Sequence, residues 1–134
     1  MSFNRKYTVI AVAGIIAIAG AGIAAGSPPR GQFKNLKVLP KDVSSKTLSK
    51  IMVDDFGDGL GVSCNFCHAE EKGSHRLDYA SDAKPEKEIA RSMMRMTLKI
   101  NKNFFHIKHP EIGASTLIIG CNTCHNGLPH PGNE

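Results

Sequence analysis

The chain has 134 residues, 41% of them hydrophobic and 22% charged, with six Phe, two Tyr and no tryptophan. That length suits one small domain, and the composition excludes a multidomain enzyme, a collagen-like chain and a wholly disordered tail. Seventeen Lys and Arg against twelve Asp and Glu give a net charge of +5, but without the basic stripe or recognition motif that nucleic-acid binding requires.

The N-terminus opens with Arg5 and Lys6 before residues 7–26, an uncharged run rich in Ala, Ile, Val and Gly that ends at Ser27-Pro28-Pro29-Arg30. A positive start before an apolar run is an export signal. The run is longer than the roughly 7–15 residues of a signal core and near the roughly 20 of a membrane span. Two readings stay open. One is an uncleaved anchor with its positive end inside. The other is a signal cut at small residues such as Ala19, Ala21, Ala24 or Ala25. No cysteine lies nearby, which excludes a lipoprotein anchor. Either reading places the remainder outside the cytoplasm, on the periplasmic side of the inner membrane or in the soluble periplasm. The expected organisation is a signal or anchor over 1–27, an extended connector over 28–43, a domain over 44–128 and a flexible tail over 129–134.

Within the connector, Phe33, Leu36, Val38 and Leu39 are positioned to pack inward. Ser44 or Ser45 can cap a helix running to about Phe56, with Leu48, Ile51, Met52 and Phe56 on its apolar stripe. Gly57-Asp58-Gly59-Leu60-Gly61 is expected to break it. A short helix then carries residues 64–68, and 70–80 reads as loop. Asp82 and Pro85 start a second helix to about Phe104, with Pro in the tolerated first turn and Glu86 and Glu88 suited to the helix dipole. Ile89, Met93, Met96 and Ile100 form its apolar stripe. Residues 109–113 are loop, 116–119 lead into a last short helix, and no convincing strand is present. The fold class expected is all-α, with a twofold repeat of long helix, loop and short cysteine-bearing helix. Once residues 1–26 are set aside the apolar content makes a thin core, so a large cofactor has to complete it.

The four cysteines show which cofactor. They fall as Cys64-Asn65-Phe66-Cys67-His68 and Cys121-Asn122-Thr123-Cys124-His125, two copies of C-x-x-C-H with no cysteine left over. That pattern reads as c-type haem attachment. Two thiols on one helical turn add across the vinyl groups of one haem, and the following His is carried under the iron as proximal ligand. A four-thiolate zinc site also pairs C-x-x-C with C-x-x-C, but nothing in it requires His after both pairs. Two short disulfides are the other bland alternative. The expectation is two covalently attached c-type haems on Cys64, Cys67, Cys121 and Cys124, with iron held by His68 and His125.

The second axial ligands are less determined by spacing. Met52 sits on an apolar helix face, where methionine serves equally as core filler or ligand. Met93, Met94 and Met96 compete for the second iron; Met94 lies off the stripe and Met96 suits packing against the porphyrin. His106 and His109 are candidate alternatives, better read as loop residues or propionate contacts. His75 and His130 read as exposed. Tyr79 and Arg91 are candidates for haem-edge or propionate contacts, and residues 84–88 read as a solvated helix start.

Leu39-Pro40-Lys41-Asp42, then Leu60-Gly61-Val62-Ser63 before Cys64, then Asp82-Ala83-Lys84-Pro85-Glu86-Lys87-Glu88-Ile89-Ala90-Arg91, then residues 93–96 and Ile100-Asn101 resemble the photosynthetic reaction-centre cytochrome c subunit family. The likeness is to its small dihaem relatives, which cover about half of the four-haem subunit. The resemblance implies that each haem unit is helix, turn, helix, and that the first helix supplies the sixth ligand, usually Met. It therefore implies Met52, twelve residues before Cys64, for the first iron. It implies Met93 for the second, with Met96 as the alternative. Residues 103–120 are longer and differently composed than the family pattern. The resemblance does not by itself imply photosynthesis, because small relatives occur without a reaction centre.

The function expected is electron transfer without substrate turnover. Redox protein donors and acceptors are the partners, among them a membrane respiratory or photosynthetic complex, with the membrane reached through the N-terminal segment. The alternatives are a small haem peroxidase, which needs an open iron and a distal acid–base group, and a haem-binding sensor or assembly subunit. A methionine before each motif argues for closed iron sites and a carrier.

Overall fold

A computed structural model describes residues 33–132. The apolar run over 7–26 lies outside the described residues. Among those described, no helix is long and apolar enough to cross a membrane.

The first helix begins as α1 (Ser45–Lys50), capped by Ser44, whose side chain accepts a 3.1 Å hydrogen bond from the Thr47 amide. It then widens into a π segment (Ile51–Asp58) and runs on to Leu60. The expected break at Gly57 does not occur. The π winding includes Gly57, the helix continues through Gly59, and the turn comes only at Gly61, which has φ of 64°. Glycine is required there twice over. The conformation is left-handed, and a Cβ would stand 2.1 Å from the Gly127 carbonyl oxygen. Lys50 and Asp54 form a 2.8 Å pair across the junction of the two windings.

A 3₁₀ turn (Cys64–Phe66) follows, then β1 (Ala69–Glu70) and β2 (Leu77–Asp78), antiparallel with Ala69 opposite Asp78. This hairpin replaces part of the loop expected over 70–80. The chain is mostly helical rather than strictly all-α. Strands of two residues are too short to show the alternation by which a strand is recognised.

The long helix α2 (Pro85–Phe104) matches expectation at both ends, with Pro in its first turn and Glu86 and Glu88 beside it. Its twenty residues span about 30 Å and present three faces. Arg91, Met94, Thr97 and Asn101 are buried. Ile89, Met93, Met96, Ile100 and Phe104 follow at helical spacing on a second face, largely open. Glu88, Arg95, Lys99 and Lys102 make a third, charged and exposed.

Leu39, Ile51, Met94 and Ile112 form the core, with Leu36, Val38, Leu48, Met52, Phe56 and Leu98 packed partly against it. Gly113, at φ of 82°, lets the following loop lie against Ile51: a Cβ there would meet Ile51 Cγ1 at 2.5 Å. The core is as thin as the composition implied. Polar groups do unusual structural work. The Arg91 guanidinium pairs with Asp82 and Glu88, both at 2.9 Å, and donates to the Asn35 carbonyl. Asp82 also holds Lys37 at 2.8 Å and Asn35. This cluster fastens the connector to the start of α2.

The Lys37 hydrogen bond, aided by those of Asn35 and Arg91, holds the Asp82 carboxyl far below its ordinary 3.8. Arg91 and Arg95 hold Glu88 below its ordinary 4.5. Protonation therefore favours the unfolded chain, and the stabilisation is complete above the ordinary carboxylate range and lost progressively as pH falls below it toward the depressed folded-state values. Denaturant midpoints of Asp82→Asn should lie below those of the wild type at pH 6, with the gap closing below about pH 4. A gap that stays constant into acid rules out this role for Asp82.

Candidate functional site

The first motif leaves the helix end through Gly61 and extended Ser63. The 3₁₀ turn brings Cys64 and Cys67 onto one side, and the His68 amide closes it by donating to the Cys64 carbonyl at 3.0 Å. Lys84 reaches back to the Asn65 carbonyl, so the start of α2 braces the motif. That corrects the reading of 84–88 as merely solvated, since Lys87 also turns inward to the Tyr79 and Ser81 carbonyls. Tyr79 packs edge-on against His68, ring centroids 5.0 Å apart. His68 Nδ1 is buried with no hydrogen-bond partner, and burial, then Lys87, holds the imidazole below its ordinary pKa.

The second motif forms α3 (Cys121–His125), ended by Asn126 in left-handed conformation. Thr123 Oγ1 accepts from the Gly120 amide at 3.0 Å. His125 Nδ1 lies 2.9 Å from the Leu128 carbonyl oxygen. A carbonyl only accepts, so the proton sits on Nδ1 and Nε2 keeps its lone pair, the tautomer of an iron-binding imidazole. Burial, then neighbouring Asp55, pushes the Cys121 thiol up to about 11. Burial, then Glu86, raises the Cys67 thiol. Burial thus favours the neutral thiol form of Cys67 and Cys121.

Two contacts lock the motifs together. The Gly127 amide donates to the Gly59 carbonyl at 3.0 Å, and Gly61 lies against Gly127. The end of the first helix is thus gripped by the residues just past His125. Asn101 positions the approach to the second motif. It is fully buried, donates to the Thr97 and Ile119 carbonyls at 2.9 and 2.8 Å, and accepts from the Ile118 and Ile119 amides. Residues 118–119, at the end of the 103–120 stretch, are fastened to the helix by this side chain. A cleft of about 410 Å³ lies beside it, between Lys50, Asp55 and the 113–120 loop.

The methionines separate cleanly. Met94 is 7% exposed and belongs to the core, whereas Met93 is 42% exposed on the open face with Met96 beside it. Met52 is half-buried on the π segment against the core. His75, His106, His109 and His130 are all exposed. Arg91 is itself buried and pairs with the exposed carboxylates of Asp82 and Glu88. Asn101 and the glycine pair Gly61 and Gly127 are functional positions that motif reading passed over. Only the Ile100-Asn101 and Leu60-Gly61 matches to the family hinted at them. All four cysteines are free. Among the described residues no three His, Cys, Asp or Glu side chains converge on one point.

Paired free thiols with an imidazole following on the same turn, in a chain whose long helix leaves Ile89, Met93 and Met96 exposed, fit a covalently held haem. They make the chain a c-type cytochrome. Residues 8–134 match the family described as "Photosynthetic reaction centre cytochrome C subunit", and the chain belongs to that family. It is 30% identical over 112 residues to cytochrome c-554 of Chloroflexus aurantiacus, covering 81% of this chain and 25% of that protein. It is 31% identical over 112 residues to the photosynthetic reaction center cytochrome c subunit of Rubrivivax gelatinosus, covering 81% of this chain and 27% of that protein. The chain therefore spans about a quarter of the length of these curated relatives, not the half that the resemblance implied. No solved structure matches it.

Proposed function

We propose that this chain is an electron carrier holding two covalent haems, one at each C-x-x-C-H turn. The observation that carries the reading is the state of the two turns. Each presents two free thiols and one imidazole, and at His125 the ring proton is fixed on the nitrogen that iron does not need. When bound, each haem supplies an iron that takes up and gives back one electron.

The residues do the rest. Cys64 and Cys67, and Cys121 and Cys124, hold the groups through thioether bonds, and His68 and His125 are the proximal ligands. Met52 and Met93 close the distal positions, with Met96 the alternative to Met93. A methionine opposite histidine raises the potential and leaves no vacancy for a substrate, which is why the reading is a carrier and not an enzyme. Ile89, Met96 and Ile100 shield the group from water, lowering the local dielectric that also governs the potential. The partners are redox protein donors and acceptors, including a respiratory or photosynthetic membrane complex. Residues 7–26 export the chain and either hold it at the periplasmic side of the inner membrane or are removed.

Protein matured in an exporting host should gain two haem masses over the bare chain. An alkaline pyridine haemochrome should count two c-type haems per polypeptide. One increment, or none, defeats the dihaem reading. Fractionating the same cells separates the two fates of 7–26. Alkaline-washed membranes retain an anchored chain, and the soluble periplasm holds a cut one.

A further inference from the structure

The two motif histidines differ in what stands behind each ring. His125 Nδ1 lies 2.9 Å from the Leu128 carbonyl oxygen. His68 Nδ1 is buried from solvent and meets no hydrogen-bond partner among the described residues. The motifs themselves give no reason for this, since each ends in His directly after C-x-x-C. The hairpin supplies one. Ala69 stands opposite Asp78 and Glu70 opposite Leu77. Carried one residue outward, the same register sets Tyr79 opposite His68, and their rings meet edge-on at 5.0 Å. The Tyr79 backbone is thus the acceptor on offer to the imidazole, and its pull favours a protonated ring.

That carbonyl is already engaged. Lys87 Nζ donates to it at 2.7 Å and to the Ser81 carbonyl at 2.6 Å. The Lys87 side chain is only 12% exposed, and the nearest carboxylate, Asp82, stands 3.8 Å away. Asp82 is itself held at 2.8 Å by Lys37 and at 2.9 Å by Arg91, so the Lys87 charge is not cancelled. A proximal imidazole whose Nδ1–H is bonded to a strong acceptor becomes a stronger donor to its metal. Stronger donation favours the oxidised metal and lowers its potential. A carbonyl that accepts from an ammonium keeps a second lone pair, but it is a weaker acceptor for the ring. The ammonium also adds positive charge beside the ring, which opposes oxidation most where water is excluded. Both effects have the same sign.

We infer that Lys87, acting through the Tyr79 carbonyl on His68, is a positioning residue that raises the potential of the first haem and not of the second. The inference rests on the electron-carrier reading. A tether between the 79–82 turn and the start of α2 would account for the hydrogen bonds of Lys87, but not for a buried ring nitrogen left without one. Leu128 gives His125 a carbonyl with no ammonium bonded to it among the described residues. The two proximal rings therefore donate unequally, and the exchange between haems tilts one way. One electron leaves Fe(II) of the second haem, which becomes Fe(III), as Fe(III) of the first becomes Fe(II).

The test uses the holoprotein. Lys87→Met keeps the stem and removes the charge and the donors, Lys87→Arg keeps both, and Lys72→Met removes the same charge from the exposed turn of the hairpin. In spectroelectrochemical titrations at fixed electrode potential, Lys87→Met should raise the Fe(III)/Fe(II) ratio of the first haem at least about threefold. The second haem should change less, as should both haems in Lys87→Arg and Lys72→Met. Spectra of the reduced protein with ring-15N histidine give a readout that a tether would not move. The His68 Nδ1 proton, identified by its contact with the Tyr79 ring, should shift downfield in Lys87→Met as the freed carbonyl accepts from it, while the His125 proton stays. The order in which the two signals vanish on stepwise oxidation assigns the potentials. In the wild type the His68 proton should already resonate upfield of the His125 proton; the reverse order overturns the inference even if Lys87→Met does not mature. A smaller change at the first haem, an equal shift at both, or a His68 proton that does not move overturns it too, and leaves the carrier reading intact. A chain that gains no haem, or gives no reversible one-electron wave, defeats the carrier reading and the inference with it.

Discussion

Asn101→Leu should destabilise the holoprotein by about 3–5 kcal/mol, because several backbone groups lose their partners at once. The amide satisfies the Ile118 amide, the Ile119 amide and the Ile119 carbonyl, all on the strand of chain entering the second motif, from a position with no solvent access. Thr97 keeps its ordinary helical partner, so the loss concentrates on the 118–119 segment. Each unmade hydrogen bond to a buried group costs about 1–3 kcal/mol, and the segment recovers part of this by moving toward water. Against a typical total of about 5–15 kcal/mol, that is a large fraction. Asn101→Asp keeps the acceptor but loses both donors and buries a charge, so it should rescue little. Guanidinium unfolding followed by far-UV signal measures the change; a loss under about 1 kcal/mol would mean that the loop is held by something other than Asn101. The second haem should respond selectively, since the 118–119 segment leads directly into Cys121 and has no comparable link to Cys64.

The elements with strong local signals were legible in the residues. Pro85, the acidic first turn and sustained helical spacing mark α2 to its observed ends, and Ser44 caps the first helix as one of two candidates. The C-x-x-C-H turns needed no structure to be noticed. What sequence could not supply was the orientation of an amphipathic helix. Ile89, Met93, Met96 and Ile100 form the apolar stripe, so hydropathy alone points them at the protein core. The structure instead buries Arg91, Met94, Thr97 and Asn101, two of them strongly polar, each with its hydrogen bonds met. Periodicity finds a stripe but does not say what covers it, and a stripe reserved for a cofactor looks the same as one reserved for a core. Glycine misled in the opposite sense. Gly57 and Gly59 read as a break, yet the helix continues through them. Gly61 matters because of Gly127, a partner sixty-six positions away that no local rule can pair with it.

The open stripe and the thin core are two sides of one economy. Four buried apolar side chains among the described residues are few for a hundred-residue body, and the helix that could have enlarged the core turns its most apolar face outward. On the proposed reading, such a chain leaves burial incomplete until haem is attached. Stability and redox function then draw on the same side chains, so that changes on the open face of α2 should alter both, while changes at Lys99 and Lys102, exposed on its charged face, should alter neither folding nor spectrum.

The sharpest consequence falls on Met93. Replacing it with Ala should open the second iron to carbon monoxide, lower that haem's potential and remove about half of the Fe–S(Met) near-infrared absorbance. The first haem, served by Met52, should keep its half of the band. Three methionines lie within one turn, and burial already discriminates among them: Met94 is committed to the core at 7% exposed, while Met93 and Met96 both stand on the open face. Met94→Ala is accordingly expected to cost about 2–5 kcal/mol of stability as a core truncation, with the near-infrared band intact. Met96→Ala should shift the second haem's spectrum slightly through lost packing and keep the band. If the band halves in Met96→Ala and survives in Met93→Ala, the ligand is Met96. The open face then still covers the haem, but the iron sits one turn further along α2, nearer to Phe104.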